Sequence, residues 1–94
     1  MEIRVGTVSH YFNHLGVAVL VLNKNIRIGD HIHFLGHTTE FDQLVSSLEI
    51  NHHRIQVACP GMEVAIRVAE PVRKGDMVFR VVELEELGVE AVGL

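Results

Sequence analysis

A chain of 94 residues, 48% of them apolar, is long enough for one hydrophobic core and too short to divide into two. Its longest unbroken apolar run, six residues from Val17 to Leu22, falls far short of the ~20 that a membrane-spanning helix needs. The net charge of −4 is unevenly spread: Glu83, Glu85, Glu86 and Glu90 lie in the last twelve positions, and residues 1–82 carry eight acidic and eight basic groups, so the body lacks the positive field behind sequence-independent nucleic-acid binding.

The chain opens Met1-Glu2-Ile3-Arg4, without a basic segment and apolar stretch of the secretory kind, and a cytoplasmic location is expected. A lone Cys59 cannot form an internal disulfide, which fits a reducing compartment. Ile3, Val5, Thr7 and Ser9 then alternate with Arg4, Gly6, Val8 and His10, the pattern of a half-buried strand. Val17 to Leu22, bracketed by Gly16 and Asn23, predicts a strand buried on both faces. His31-Ile32-His33-Phe34-Leu35 predicts a strand with Ile32 and Phe34 inward and both histidines outward. From Asp42 to Ile50 the spacing predicts a strand with Leu44, Leu48 and Ile50 inward and Ser46 in a small inward slot, although Leu44 and Leu48 also suit a helical turn. Val64 to Val68 and Met77 to Val81 complete the set, each preceded by Gly-containing turn chemistry.

One pattern occurs twice. Ile26-Arg27-Ile28-Gly29-Asp30-His31-Ile32 and, 46 residues later, Val72-Arg73-Lys74-Gly75-Asp76-Met77-Val78 share apolar, Arg, any, Gly, Asp, any, apolar. Gly supplies the positive φ of a tight turn, and Asp bonds its short side chain to nearby backbone as the next strand begins. Both are read as turns feeding strands. The expected fold is therefore all-β: a small closed β-barrel of about six or more mostly antiparallel strands over residues 1–82, with 83–94 as an acidic C-terminal tail forming a helical turn or a frayed end. Closure is favoured because so small a sheet otherwise leaves two exposed edges.

The fragments Val5-Gly6-Thr7-Val8, Leu15 to Val19, Ile26-x-Ile28-Gly29-Asp30-x-Ile32, Val45 to Leu48, Ala58-x-x-Gly61-x-x-Val64-Ala65-Ile66 and Gly75-Asp76-x-Val78 together resemble the second, β-barrel domain of elongation factor Tu-type translational GTPases and the small translation elongation factor-like proteins. The resemblance covers residues 3–82. It implies a translation-factor type of barrel that is not an enzyme and needs no cofactor, with RNA, the ribosome or a translation-related protein as partner. It also places Glu49 where that family holds a glutamate beside the terminal adenosine of charged tRNA; a solvated carboxylate is the plainer alternative. No Gly-x-x-x-x-Gly-Lys-Ser/Thr loop occurs, so no nucleotide is expected.

Further candidates come from the residues themselves. Tyr11 and Phe12, near His10 and His14, offer aromatic faces for a base or a partner side chain, against a plainer reading in which Phe12 is core and Tyr11 exposed. Arg27, Arg73 and Lys74 would meet phosphates if the two Gly-Asp turns were neighbours. His31 and His33, two apart on a strand, share a face and would chelate a metal given a third ligand; a cupin-like enzyme is the rival, but Glu40 follows His33 by seven residues, longer than that motif allows, and a fortuitous surface pair is the plainer reading. Exposed histidines would change the charge between roughly pH 6 and 7. Cys59 is expected in a turn as a buried, inert thiol. A third reading is an adaptor that dimerises through an open edge or the tail.

Overall fold

The computed structural model describes residues 1–82. The acidic segment 83–94, expected as a helical turn or frayed tail, lies outside the described residues. Ten strands follow one another: β1 (Glu2–Phe12), β2 (Val17–Leu22), β3 (Ile26–Arg27), β4 (His31–Leu35), β5 (Glu40–Leu44), β6 (Glu49–Ile50), β7 (His53–Arg54), β8 (Val57–Ala58), β9 (Glu63–Arg67) and β10 (Met77–Val81). Eight form one sheet in the order β5-β4-β10-β1-β2-β9-β6-β7, and β3 pairs with β8 separately. Each of these pairings is antiparallel. The fold is all-β and antiparallel; among the described residues no backbone ladder joins β5 at one end of the sheet to β7 at the other.

The core is built from the inward faces of the long strands. Val5, Val8, Ala18, Leu20, Ile32, Phe34, Val64, Ile66 and Val78 are all buried. Phe34 and Phe41, partners across β4 and β5, stack with ring centroids 4.9 Å apart. An offset aromatic pair of this kind adds about 0.5–1.5 kcal/mol beyond the area it buries.

The two Gly-Asp segments are turns of one design. Gly29 and Gly75 have φ of 94° and 95°, a region closed to β-carbon-bearing residues at any modest cost. Asp30 Oδ2 accepts the Arg27 amide at 2.9 Å, and Asp76 Oδ2 accepts the Arg73 amide at 2.8 Å. In return the Asp30 and Asp76 amides donate to the Arg27 and Arg73 carbonyls at 3.1 and 3.0 Å. Each turn delivers the chain into a long strand, β4 or β10.

Several expectations need correction. β2 is buried on one face only: Ala18, Leu20 and Leu22 point in, whereas Val17 and Val19 are half-buried and Val21 is exposed. Its neighbours β1 and β9 pair along its two edges, and its outer side is only partly covered. No strand runs from Asp42 to Ile50. β5 stops at Leu44, which is 62% exposed, and Val45 is the buried residue, exchanging hydrogen bonds with the Gly29-Asp30 turn. Ser46 is accordingly exposed and fills no inward slot.

Tyr11 and Phe12 also trade places: Tyr11 is half-buried against the core, and Phe12 is 43% exposed. The cause is a bulge. The register of β1 against β2 slips between Val8 and His10, so Ser9 is an extra residue and the inward parity passes from Val8 to Tyr11. Cys59 does lie beside a turn but is exposed, correcting the buried thiol: it opens the exposed Pro60-Gly61 turn that the Met62 amide closes onto the Cys59 carbonyl at 3.2 Å.

Candidate functional site

The long strands and their loops leave several concavities, and the candidate residues divide among three of them. One, an open cleft of about 780 Å³, lies where the end of β1, the β4–β5 hairpin and the segment 70–73 meet. Tyr11 and Asn13 line one end, Thr38 to Phe41 one wall, and Glu70 to Arg73 the other. Two of the sequence candidates, Tyr11 and Arg73, are therefore brought together here. Lys74 follows Arg73 in the exposed turn and does not line the cleft.

Arg27 is elsewhere, in a depression of about 340 Å³ with Asn25, Asp30 and Arg80. The two Gly-Asp turns therefore contribute to different concavities, Arg27 to one and Arg73 to the other. Glu49 occupies a third position. It pairs with Arg54 in β7 and Ala65 in β9, and it lines a small groove of about 200 Å³ together with Leu15, Val17 and Arg67.

His31 and His33 share the outer face of β4, as the alternation predicts, but each is taken up by carboxylates. His31 Nε2 lies 2.7 Å from Asp42 Oδ2. His33 Nδ1 donates to Glu2 at 3.0 Å, with Nε2 3.5 Å from Glu40 and 3.8 Å from Asp42. The β4–β5 register sets Asp42 directly opposite His33 and Glu40, the partner of Leu35, diagonally beside it, and Glu2 reaches it across β10 from the start of β1. The bond to Glu2 raises the His33 pKa above its ordinary value; desolvation opposes this, and the charges of Glu2, Asp42 and Glu40 add to the rise. Among the described residues no group of three or more His, Cys, Asp and Glu side chains is arranged to hold a metal ion.

Sequence reasoning missed the cleft's second wall and its end. Glu70 and Pro71 sit in a loop without periodicity, and Thr38 and Thr39 in a hairpin loop; only the composition Glu-Pro before the Arg-Lys-Gly-Asp turn hinted at a shaped segment. Gln43, whose carboxamide bonds Arg67 and Ala69, carried no signal at all.

No protein-family model matches the chain. It is 33% identical over 79 residues to a Methanocaldococcus jannaschii protein described as an uncharacterized protease, a match that covers 83% of this chain and 19% of that protein. The chain thus spans about a fifth of the length of the curated relative it matches. Two solved structures of the C-terminal domain of a Geobacillus thermoleovorans U32 peptidase share the fold. One superposes with a TM-score of 0.78 at 22% identity, covering 82% of this chain and 90% of that one. The selenomethionine variant gives 0.77 at 23%, covering 81% and 96%.

These relationships overturn the translation-factor reading, both as a family resemblance to an elongation factor-like protein and as a stand-alone barrel that binds RNA or the ribosome. They lend nothing to the histidine-based metal protein or cupin-like enzyme either. The fragments behind the resemblance were Gly-Asp turns and Val-rich strands. Those are demands of a small antiparallel sheet, met in the same way by unrelated functions, and they report fold and not family.

Proposed function

We propose that this chain is a domain of the kind found at the C-terminal end of U32 peptidases, and that its role is to bind or position polypeptide and not to cleave it. The observation carrying this reading is the 33% identity over 79 residues to a protein described as a protease, of which those residues make up only 19%. The match to a solved C-terminal domain, 90% of which is covered, supports the view that this piece folds apart from the rest of such a protein. A cleft with aromatic, amide, hydroxyl and charged walls suits polypeptide recognition.

The same proposal includes closure of the sheet. We infer that β5-β4-β10-β1-β2-β9 curl until β5 meets the end of β9, giving a barrel sealed by side chains. Its support is a set of bonds spanning that gap: Gln43 Nε2 donates to the Arg67 carbonyl at 2.8 Å, the Ala69 amide donates to Gln43 Oε1 at 2.7 Å, and the Arg67 amide donates to Ser47 Oγ at 3.2 Å.

A domain exchange tests the functional reading. The C-terminal domain of the Geobacillus peptidase is replaced by this chain, and peptide hydrolysis by the chimera is compared with that of the truncated and intact enzymes. The chimera should behave as the intact enzyme does, and the isolated chain should leave a mixed peptide pool uncut by mass spectrometry. Cleavage that co-elutes with the isolated chain, or a chimera no better than the truncation, would refute the reading.

A further inference from the structure

The edge of β5 is the most consequential unassigned feature, and two hydrogen bonds fix which way its backbone faces. The Gly36 amide donates to the Thr39 carbonyl at 2.8 Å, and the Val45 amide donates to the Asp30 carbonyl at 2.9 Å. In an antiparallel ladder, successive residues turn both backbone polar groups to opposite sides. Thr39, Phe41, Gln43 and Val45 therefore bond toward β4. Glu40 and Asp42 hold their N–H and C=O groups toward the edge, which no strand of the described residues covers.

At Glu40 that edge borders the large cleft, whose lining stops short of Asp42. Next along β5, outside the cleft's lining, Gln43 bonds Arg67 and Ala69 with its carboxamide. Beyond Gln43, toward the hairpin, the segment 70–73 stands away from β5, and the cleft of about 780 Å³ lies between them. Among the described residues no hydrogen bond joins the two walls there. A strand of three or four residues extends roughly 10–13 Å, enough to pair with both edge-facing residues, which stand about 7 Å apart along a strand.

We propose that this cleft receives a short, extended polypeptide segment that adds to β5 as a further strand, pairing with the backbone of Glu40 and Asp42. This rests on the peptidase-associated reading and names the form in which polypeptide is held. Main-chain bonds of this type give affinity with little sequence preference, and alternate side chains of the guest select through pockets. One set of guest side chains would meet Tyr11 and Pro71. Glu70 and Arg73, of opposite charge and in no ion pair among the described residues, stand on the far wall to meet the guest's own charges, terminal or side-chain.

The experiment is an amide chemical-shift titration of the whole ¹⁵N-labelled chain with the capped peptide acetyl-Thr-Val-Thr-Val-Thr-amide and with the same peptide N-methylated at every residue, which leaves neither edge a donor. The plain peptide should give saturable shifts at Glu40 and Asp42 and across 70–73. The methylated peptide, unable to complete the ladder, should bind at least about tenfold more weakly. Glu40→Pro removes an edge-facing donor at a position where an edge strand tolerates proline, and should weaken the plain peptide about as much. Equal binding of the two peptides, or no saturable shift at Glu40 and Asp42 with millimolar peptide, would overturn the proposal whether or not Glu40→Pro folds. A working chimera without edge shifts would refute this inference alone; edge shifts without a working chimera would refute the peptidase reading alone.

Discussion

The carboxamide of Gln43 stands in for a strand against Arg67: it donates to the Arg67 carbonyl at 2.8 Å and, through its oxygen, accepts the Ala69 amide two residues on at 2.7 Å. One side chain thus reproduces the donor and acceptor pair that a backbone residue would offer to the end of β9. Gln43→Ala should cost about 1 kcal/mol in urea unfolding, a usual net value for such bonds. Gln43→Glu should cost more, about 2 kcal/mol, because a carboxylate keeps the acceptor for Ala69 but opposes the Arg67 carbonyl. Equal stability of both variants with the parent would show that the gap is held by other contacts.

The repeated turn allows a matched comparison. Asp30 and Asp76 make the same two bonds, but Asp76 is only 5% exposed and Asp30 is half-buried. A buried donor left unpaired costs about 1–3 kcal/mol, and an accessible one recovers much of that from water. Asp76→Ala should therefore destabilise by about 2 kcal/mol and Asp30→Ala by about 1 kcal/mol, measured by thermal unfolding. Gly36 gives an independent check, since a methyl group there would land on the Asp76 carboxylate. Gly36→Ala should approach the cost of Asp76→Ala, and a neutral result would mean that the Asp76 side chain moves freely.

The legible parts of this chain were those in which each residue decides for itself. The alternation in His31 to Leu35 placed Ile32 and Phe34 inside, and Gly-Asp fixed both turns. Parity failed where a residue was inserted. The extra Ser9 moves every later residue of β1 to the other face, a slip that no local composition announces. Leu44 misled for a related reason: hydrophobicity argued for burial, but the backbone of Val45 was committed to the Gly29-Asp30 turn, and that bond set the face. The cleft was illegible because its walls come from segments about 30 residues apart whose contact only the folded sheet creates.

The bulge itself predicts an inversion. If Ser9 shifts the face, Tyr11→Ser removes a side chain packed on the core and should lose about 1–2 kcal/mol. Phe12→Ser removes an exposed ring that touches His10, with centroids 4.2 Å apart, and should lose no more than about 0.5 kcal/mol. Denaturant midpoints of the two variants decide it. A larger loss at Phe12 would restore the unbulged register.

His33 ties the start of β1 to the β4–β5 hairpin, and the strength of that tie depends on pH. Its side chain is 13% exposed and faces Glu2 from β1 together with Glu40 and Asp42 from β5; Asp42 also holds His31, and Phe79 of β10 lies alongside with ring centroids 6.3 Å away. The carboxylates favour the imidazolium, so the folded pKa stands above the ordinary 6.5. A raised pKa means that the folded state binds the proton more tightly than the unfolded one. The stabilisation is complete below about pH 6.5 and disappears as pH rises through the higher folded value. The parent chain should thus lose stability between pH 6 and pH 8, and His33→Asn should remove that part of the slope while lowering stability mainly at pH 6. Glu2→Gln, which takes away the leading cause of the shift, should reduce the slope without altering the sheet. Parallel pH profiles for the parent and His33→Asn would show that the imidazole is not charged by these neighbours.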